Sequence, residues 1–317
     1  MFNEMFNEAP PIFMFGYDRS GTTLLSMIAG AHPDLAMPFS VTGLWYRYAA
    51  DLDRFGGLAT PDDIARLVDA LLAEERIQIW DAKLDREALL EGLPAKSFSA
   101  VVARFHEAYA IAKAKPRWSN MDIATLTEMP IANTWFPDAR FVHIVRDGRD
   151  VALSHKHYQY SVGNFVDVAR QWRARVETNL RMGAMLGPER YRVVRFEDLV
   201  RDTARTLADL CAFLGLSYSD DMLNYTDMVG DKVPEEKRAL WPVLDKPPQP
   251  DKCDQWKRKM SRSTRLVFED VAGPLLDELG YAVEANPSVS PIAEMKGVFY
   301  QLDRGDRLAR FRRRFKK

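Results

Sequence analysis

Ile12-Phe13-Met14-Phe15-Gly16-Tyr17-Asp18-Arg19-Ser20-Gly21-Thr22-Thr23-Leu24-Leu25 reads as an apolar run, a glycine-bounded turn and the start of an amphipathic helix. That order is strand, loop, helix. The spacing Gly16-x-x-x-x-Gly21-x-Thr23 matches the Walker loop, in which backbone N–H groups and the positive end of a helix cradle an anion. Thr22 stands where a nucleotide-hydrolysing loop carries lysine, and the nearest cation is Arg19 inside the turn. A planar, permanently charged guanidinium suits a tetrahedral oxyanion better than it suits a magnesium-bridged triphosphate. The alternative is an ordinary turn whose glycines fall there by chance.

With hydroxyls at Ser20, Thr22 and Thr23, and the continuation Ala31-His32-Pro33-Asp34, the stretch resembles the 5′-phosphosulfate loop of sulfotransferases that use 3′-phosphoadenosine 5′-phosphosulfate (PAPS). The resemblance implies an α/β fold of the P-loop type, three layers deep, with a mainly parallel central sheet flanked by helices. It also implies that Arg19, Ser20, Gly21, Thr22 and Thr23 meet the donor, with Arg19 acting on the transferred group.

A second stretch supports it. Arg140-Phe141-Val142-His143-Ile144-Val145 reads as a buried parallel strand, and Arg146-Asp147-Gly148-Arg149-Asp150-Val151-Ala152-Leu153-Ser154 leaves it through a turn into a helix. In open α/β sheets ligands bind beyond the carboxyl ends of the strands, so this turn and the first loop are expected to share a crevice. Taken alone, Arg146 to Asp150 also fits surface salt bridges at a helix cap. The stretch resembles the family's 3′-phosphate motif, which implies that Arg146 and Ser154 hold that phosphate. By the same resemblance Phe196, at the end of the strand Tyr191-Arg195, contacts adenine, with burial in the sheet as the alternative. Trp256 and Lys257 open a closing segment over the nucleotide, Lys259 being the other candidate cation.

The remaining chain reads mostly as scaffold. Thr60-Pro61-Asp62-Asp63 is an N-cap, a first-position proline and first-turn acids, which predicts a helix to about residue 75. Phe98, Val101, Val102, Phe105 and Tyr109 mark a helix over 97–112, with His106 placed off the stripe and solvated. Asn164 to Gly187 is a long helix with Trp172 in the core, and His32 reads as a helix-end residue. Aromatics in 36–59 either line an acceptor pocket or pack, and 219–255 is either a lid or a surface loop. The resemblance spans residues 11–281 as one domain, leaving 282–317 as an extension.

Composition bounds the rest. The chain has 317 residues with 44 basic and 45 acidic side chains, so no bulk field argues for nucleic acid. Cys211 and Cys253 are the only cysteines and lack metal-ligand spacing, which fits a reducing compartment and no metal site. No signal segment is read, and the expected location is cytoplasmic. The tail from Arg304 to Lys317 sets Leu308, Phe311 and Phe315 on one helical face among eight cations, which suits an anionic membrane surface, a polyanionic acceptor or a disordered solubilising tail.

The catalytic positions depart from the resemblance. Ser40 falls where related sequences place a carboxylate, and Met121 falls at their lysine. Asp122 and His155 are the remaining candidates for a base. The expected activity is sulfuryl transfer from PAPS to a hydroxyl or amine of an unknown acceptor. A PAPS-binding protein with little turnover and a small-molecule kinase are the alternatives.

Overall fold

The computed structural model describes residues 9–39, 43–121, 128–155, 164–233, 235–238 and 244–284. Ser40, Asp122, Trp241 and the basic tail lie outside them. The chain divides into two compact units, residues 1–145 with 179–250, and residues 146–178 with 251–317.

The first unit is built on five parallel strands in the order β2-β3-β1-β4-β5. These are β1 (Ile12–Gly16), β2 (Leu35–Ala36), β3 (Arg117–Asn120), β4 (Arg140–Val145) and β5 (Tyr191–Arg195). β1 is central because it is apolar on both faces: Ile12, Met14, Phe13 and Phe15 are all buried. Alternation sends Phe13 and Phe15 to one face, where they join the aromatic core built from α2 (Leu44–Ala49), α3 (Pro61–Leu72) and α4 (Phe98–Ala112). Behind β1 in sequence, α1 (Thr22–Ala31) packs along β1 and β2. The chain passes from β3 on one side of β1 to β4 on the other, which makes the carboxyl end of β1 the switch point where an α/β sheet binds ligands.

Helix ends follow the sequence signals. Thr60 caps α3 through a reciprocal capping box with Asp63, although the helix closes at Leu72 rather than near 75. Ser97 caps α4 by accepting from Ala100 N–H. Trp45 and Phe55 are core residues and Tyr46 and Tyr48 pack against that core, so the aromatics of 36–59 serve packing. His32 ends α1, with Nε2 2.7 Å from Ser217 O.

Two expectations are corrected. His106 is buried, not solvated, and desolvation pushes its pKa down to about 4. Its spacing explains this, since it lies four residues after Val102 and three before Tyr109 and so shares their face. Residues 220–232 are neither a lid nor a plain surface loop. A 3₁₀ segment (Asp220–Met228) and the turn Val229–Lys232 pack on α1, burying Met222, Tyr225, Val229 and Lys232. The Lys232 ammonium donates to Met37 O at 2.8 Å, in a space that a side chain at Gly30 would fill.

The second unit holds α5 (Gly148–His155), the first part of the long α6 (Phe165–Leu186), α7 (Gln255–Lys259) and α8 (Arg262–Glu278). Trp172 of α6 is fully buried and its ring lies 6.2 Å from that of Phe268 in α8. Among the described residues, no helix is long and apolar enough to cross a membrane.

Burial disfavours the charged form of Lys232, pushing its pKa from 10.5 down to about 7, against a weaker opposite pull from Asp81 and a small push from Lys115 and Lys113. Between those values the unfolded chain binds a proton that the folded chain lacks, so stability rises with pH across that window. Lys115, pushed by burial to about 8, acts in the same direction. Urea midpoints should therefore rise from about pH 7 to about pH 9.5, and Lys232→Met should remove most of that rise. A parent midpoint that stays flat or falls over this range contradicts the assignment.

Candidate functional site

The loop after β1 is shaped by two left-handed residues, Arg19 at φ 69° and Gly21 at φ 99°. They fold the backbone back far enough for Ser20 N–H to donate to Tyr17 O at 3.0 Å. At Gly21 only glycine fits. A Cβ there would lie 2.5 Å from the Phe196 ring, and the positive φ would strain any L side chain. Phe196 is thus buried beneath the turn and forms its floor.

Gly21 also caps α1 without a side chain, and the first turn of that helix carries no acid. The N–H groups that a capping side chain would satisfy are left for an external anion, and the helix end adds its positive partial charge. Ser20 Oγ is fully enclosed and has no hydrogen-bond partner among the described residues. Arg19, Thr22 and Thr23 surround it as half-buried side chains. The turn thus sets hydroxyl and guanidinium donors beside a helix N-terminus whose first turn carries no carboxylate.

In the second unit the Arg-Asp motif splits into two jobs. Arg149 is buried and donates from Nη2 to Asp147 Oδ2 at 2.7 Å, from Nη1 to Glu269 Oε1 at 2.6 Å and to Ala282 O at 2.8 Å. Its guanidinium also lies 3.6 Å from the centroid of the Trp256 ring. Burial alone lowers the Arg149 pKa, and the bonds to Asp147 and Glu269 more than reverse that, so the group stays charged. Asp150 Oδ1 accepts from Trp256 N–H at 2.8 Å. Arg149, Asp147 and Asp150 are therefore the bolt that ties α7 and α8 to α5. The solvated salt bridges that the motif alone also allowed are not what forms.

Arg146 and Ser154 have the other position. Arg146 is buried at the start of the turn and donates from Nη2 to Lys252 O at 2.7 Å. Ser154 is half-buried in the last turn of α5, beside the buried His155. Trp256 has its ring against Arg149, and Lys257 pairs with Asp254 at 2.8 Å while staying half-exposed. Lys259 donates to Gln255.

The structure therefore gathers Arg19, Ser20, Gly21, Thr22, Thr23 and Phe196 in the first unit. Arg146, Ser154, His155, Trp256 and Lys257 belong to the second. Asp122 lies outside the described residues, and Met121, at the position of the related lysine, is buried. Sequence reasoning missed the split between Arg146 and Arg149, because both begin an Arg-Asp pair and the carboxylate of Glu269 that meets Arg149 is distant in sequence.

A central strand, a glycine turn and a helix N-terminus whose first turn lacks carboxylates define an α/β protein of the P-loop type. The model of the sulfotransferase family matches residues 10–220, and the chain belongs to that family, whose members are sulfuryl transferases. Protein-tyrosine sulfotransferase 2 of Gallus gallus is 25% identical over 292 residues, covering 88% of this chain and 71% of its own length. Protein-tyrosine sulfotransferase 1 of Homo sapiens is 25% identical over 300 residues, covering 88% of this chain and 72% of that protein. The fold is shared with the sulfotransferase domain from the Synechococcus PCC 7002 olefin synthase. The TM-score is 0.60 at 21% identity, covering 87% of this chain and 96% of that one.

The bolt makes a prediction about stability. Arg149→Met removes the guanidinium between two buried carboxylates, so the unfolding free energy should fall by about 3–5 kcal/mol. Urea denaturation at neutral pH measures it, and a loss under about 1 kcal/mol would mean the cluster is not structural.

Proposed function

We propose that the chain transfers a sulfuryl group from PAPS to a hydroxyl or amine of an acceptor. The observation that carries this is the enclosed Ser20 Oγ, without a partner among the described residues, at the N-terminus of α1, whose first turn carries no carboxylate. PAPS supplies the activated sulfuryl group, with 3′-phosphoadenosine 5′-phosphate (PAP) as the leaving group.

The chain's own residues do the positioning. Ser20, Gly21, Thr22 and Thr23 hold the 5′-phosphosulfate through hydroxyls and loop N–H groups, and the Arg19 guanidinium offsets charge that spreads over the transferred group. Arg146 and Ser154 hold the 3′-phosphate, with Lys257 as a further cation and Trp256 placing the segment that carries it. Phe196, packed beneath Gly21, serves the adenine side of the loop. Such transfer passes through a loose transition state, so fixed dipoles and alignment supply most of the rate.

The relatives' names support a phenolic hydroxyl as acceptor. A second reading, tight donor binding with slow turnover, is favoured by Met121 in place of lysine. Loss of a general acid or base costs about a hundredfold to ten-thousandfold, which an acidic phenol would feel least.

Calorimetric titration tests the donor assignment. Arg146→Ala should weaken PAP binding about tenfold to a hundredfold, the loss of a charged hydrogen bond, and leave AMP binding unchanged. Equal PAP affinity in parent and variant would remove the 3′-phosphate assignment.

A further inference from the structure

At the carboxyl end of β3, a polar pair sits in an aromatic surround. Trp118 and Asn120 lie two residues apart on one face of the strand. His106 of α4 stacks on Trp118 at 4.9 Å, with Trp45 at 5.3 Å and Trp80 at 5.4 Å between ring centroids. It thereby packs against three segments at once, the start of α2, the stretch around Trp80 and β3.

The hydrogen bonds then fix which way the Asn120 amide points. His106 Nδ1 is 2.9 Å from Val102 O, and a carbonyl only accepts, so Nδ1 carries the proton. Nε2 is left as an acceptor. Asn120, 2.9 Å away, must donate to it through Nδ2. Its Oδ1 is consequently turned away from the imidazole, and it is buried with no partner among the described residues. An unsatisfied buried carbonyl is costly, and a hydrogen-bond donor on a bound ligand would relieve it.

The place is also informative. Asn120 is the last residue of β3 and pairs in register with Phe13 of β1, the strand that leads into the anion loop at Gly16. Carboxyl ends of neighbouring parallel strands face the same ligand region. The strand beside the loop strand thus ends in an amide oxygen, directly before Met121.

We propose that Asn120 positions the sulfate acceptor, its Oδ1 taking a hydrogen bond from the acceptor's O–H or N–H, with His106 as the positioning residue that keeps the oxygen rather than the amine turned away from the imidazole. This rests on the sulfotransferase reading of the site. An amide oxygen is too weak a base to hold the acceptor's proton, so the contact orients the nucleophile and selects donors of a hydrogen bond without titrating.

Phenol and anisole, the same ring with and without an O–H, are the probes, and the full chain is titrated with each in the presence and absence of PAP. The parent should prefer phenol by about threefold to tenfold, the worth of one hydrogen bond. Asn120→Leu should abolish the preference. His106→Phe, which frees the amide to rotate, should lower it, and His106→Gln, which still offers an acceptor to Nδ2, should restore it. Should Asn120→Leu fail to fold, Asn120→Asp keeps the shape and should make the phenol preference depend on pH as the new carboxylate titrates. A parent without preference, an unchanged ratio in Asn120→Leu, or a pH-independent ratio in Asn120→Asp overturns the proposal. Absent PAP binding with an intact phenol preference would instead sink the donor reading.

Discussion

The close approach of the Phe196 ring to Gly21 is the constraint on which the loop after β1 depends. A ring packed against the turn admits no Cβ, and the turn needs a positive φ that glycine adopts without strain. With that contact in place, α1 starts without a capping side chain and its first N–H groups face outward. Nothing else in the loop needs to be unusual. The Ser20 hydroxyl and the Arg19 guanidinium then add donors around an opening that the backbone has already shaped.

The second constraint is the buried Arg149. Its charge is retained because Asp147 and Glu269 supply two carboxylates and Trp256 supplies a ring face, so desolvation is answered by geometry rather than by solvent. One arginine of the motif is thus spent on architecture. Arg146 instead donates to the backbone carbonyl of Lys252.

The sequence made the strongest elements legible. β1, β4, β5 and the helices over 61–72, 98–112 and 165–186 follow from apolar period, caps and glycine stops. β2 and β3 were not legible, being two and four residues long and polar in part. In the candidate site, the loop and its glycine were readable because their signal is local. Arg149 and Lys232 were not, since the carboxylate and carbonyl that bury them lie 120 and 195 residues away in sequence. His106 was misplaced for a nearer reason: its polarity outweighed a spacing that already put it on the core face. Asn120 carried no signal alone, since its meaning comes from the tautomer of its partner.

Amide hydrogen exchange with and without PAP tests the central claim most directly, because it reads the loop N–H groups themselves. The account predicts that saturating PAP slows exchange across residues 19–25, where the turn and the first N–H groups of α1 meet the anion. Unchanged exchange over those residues, with PAP demonstrably bound, would contradict it.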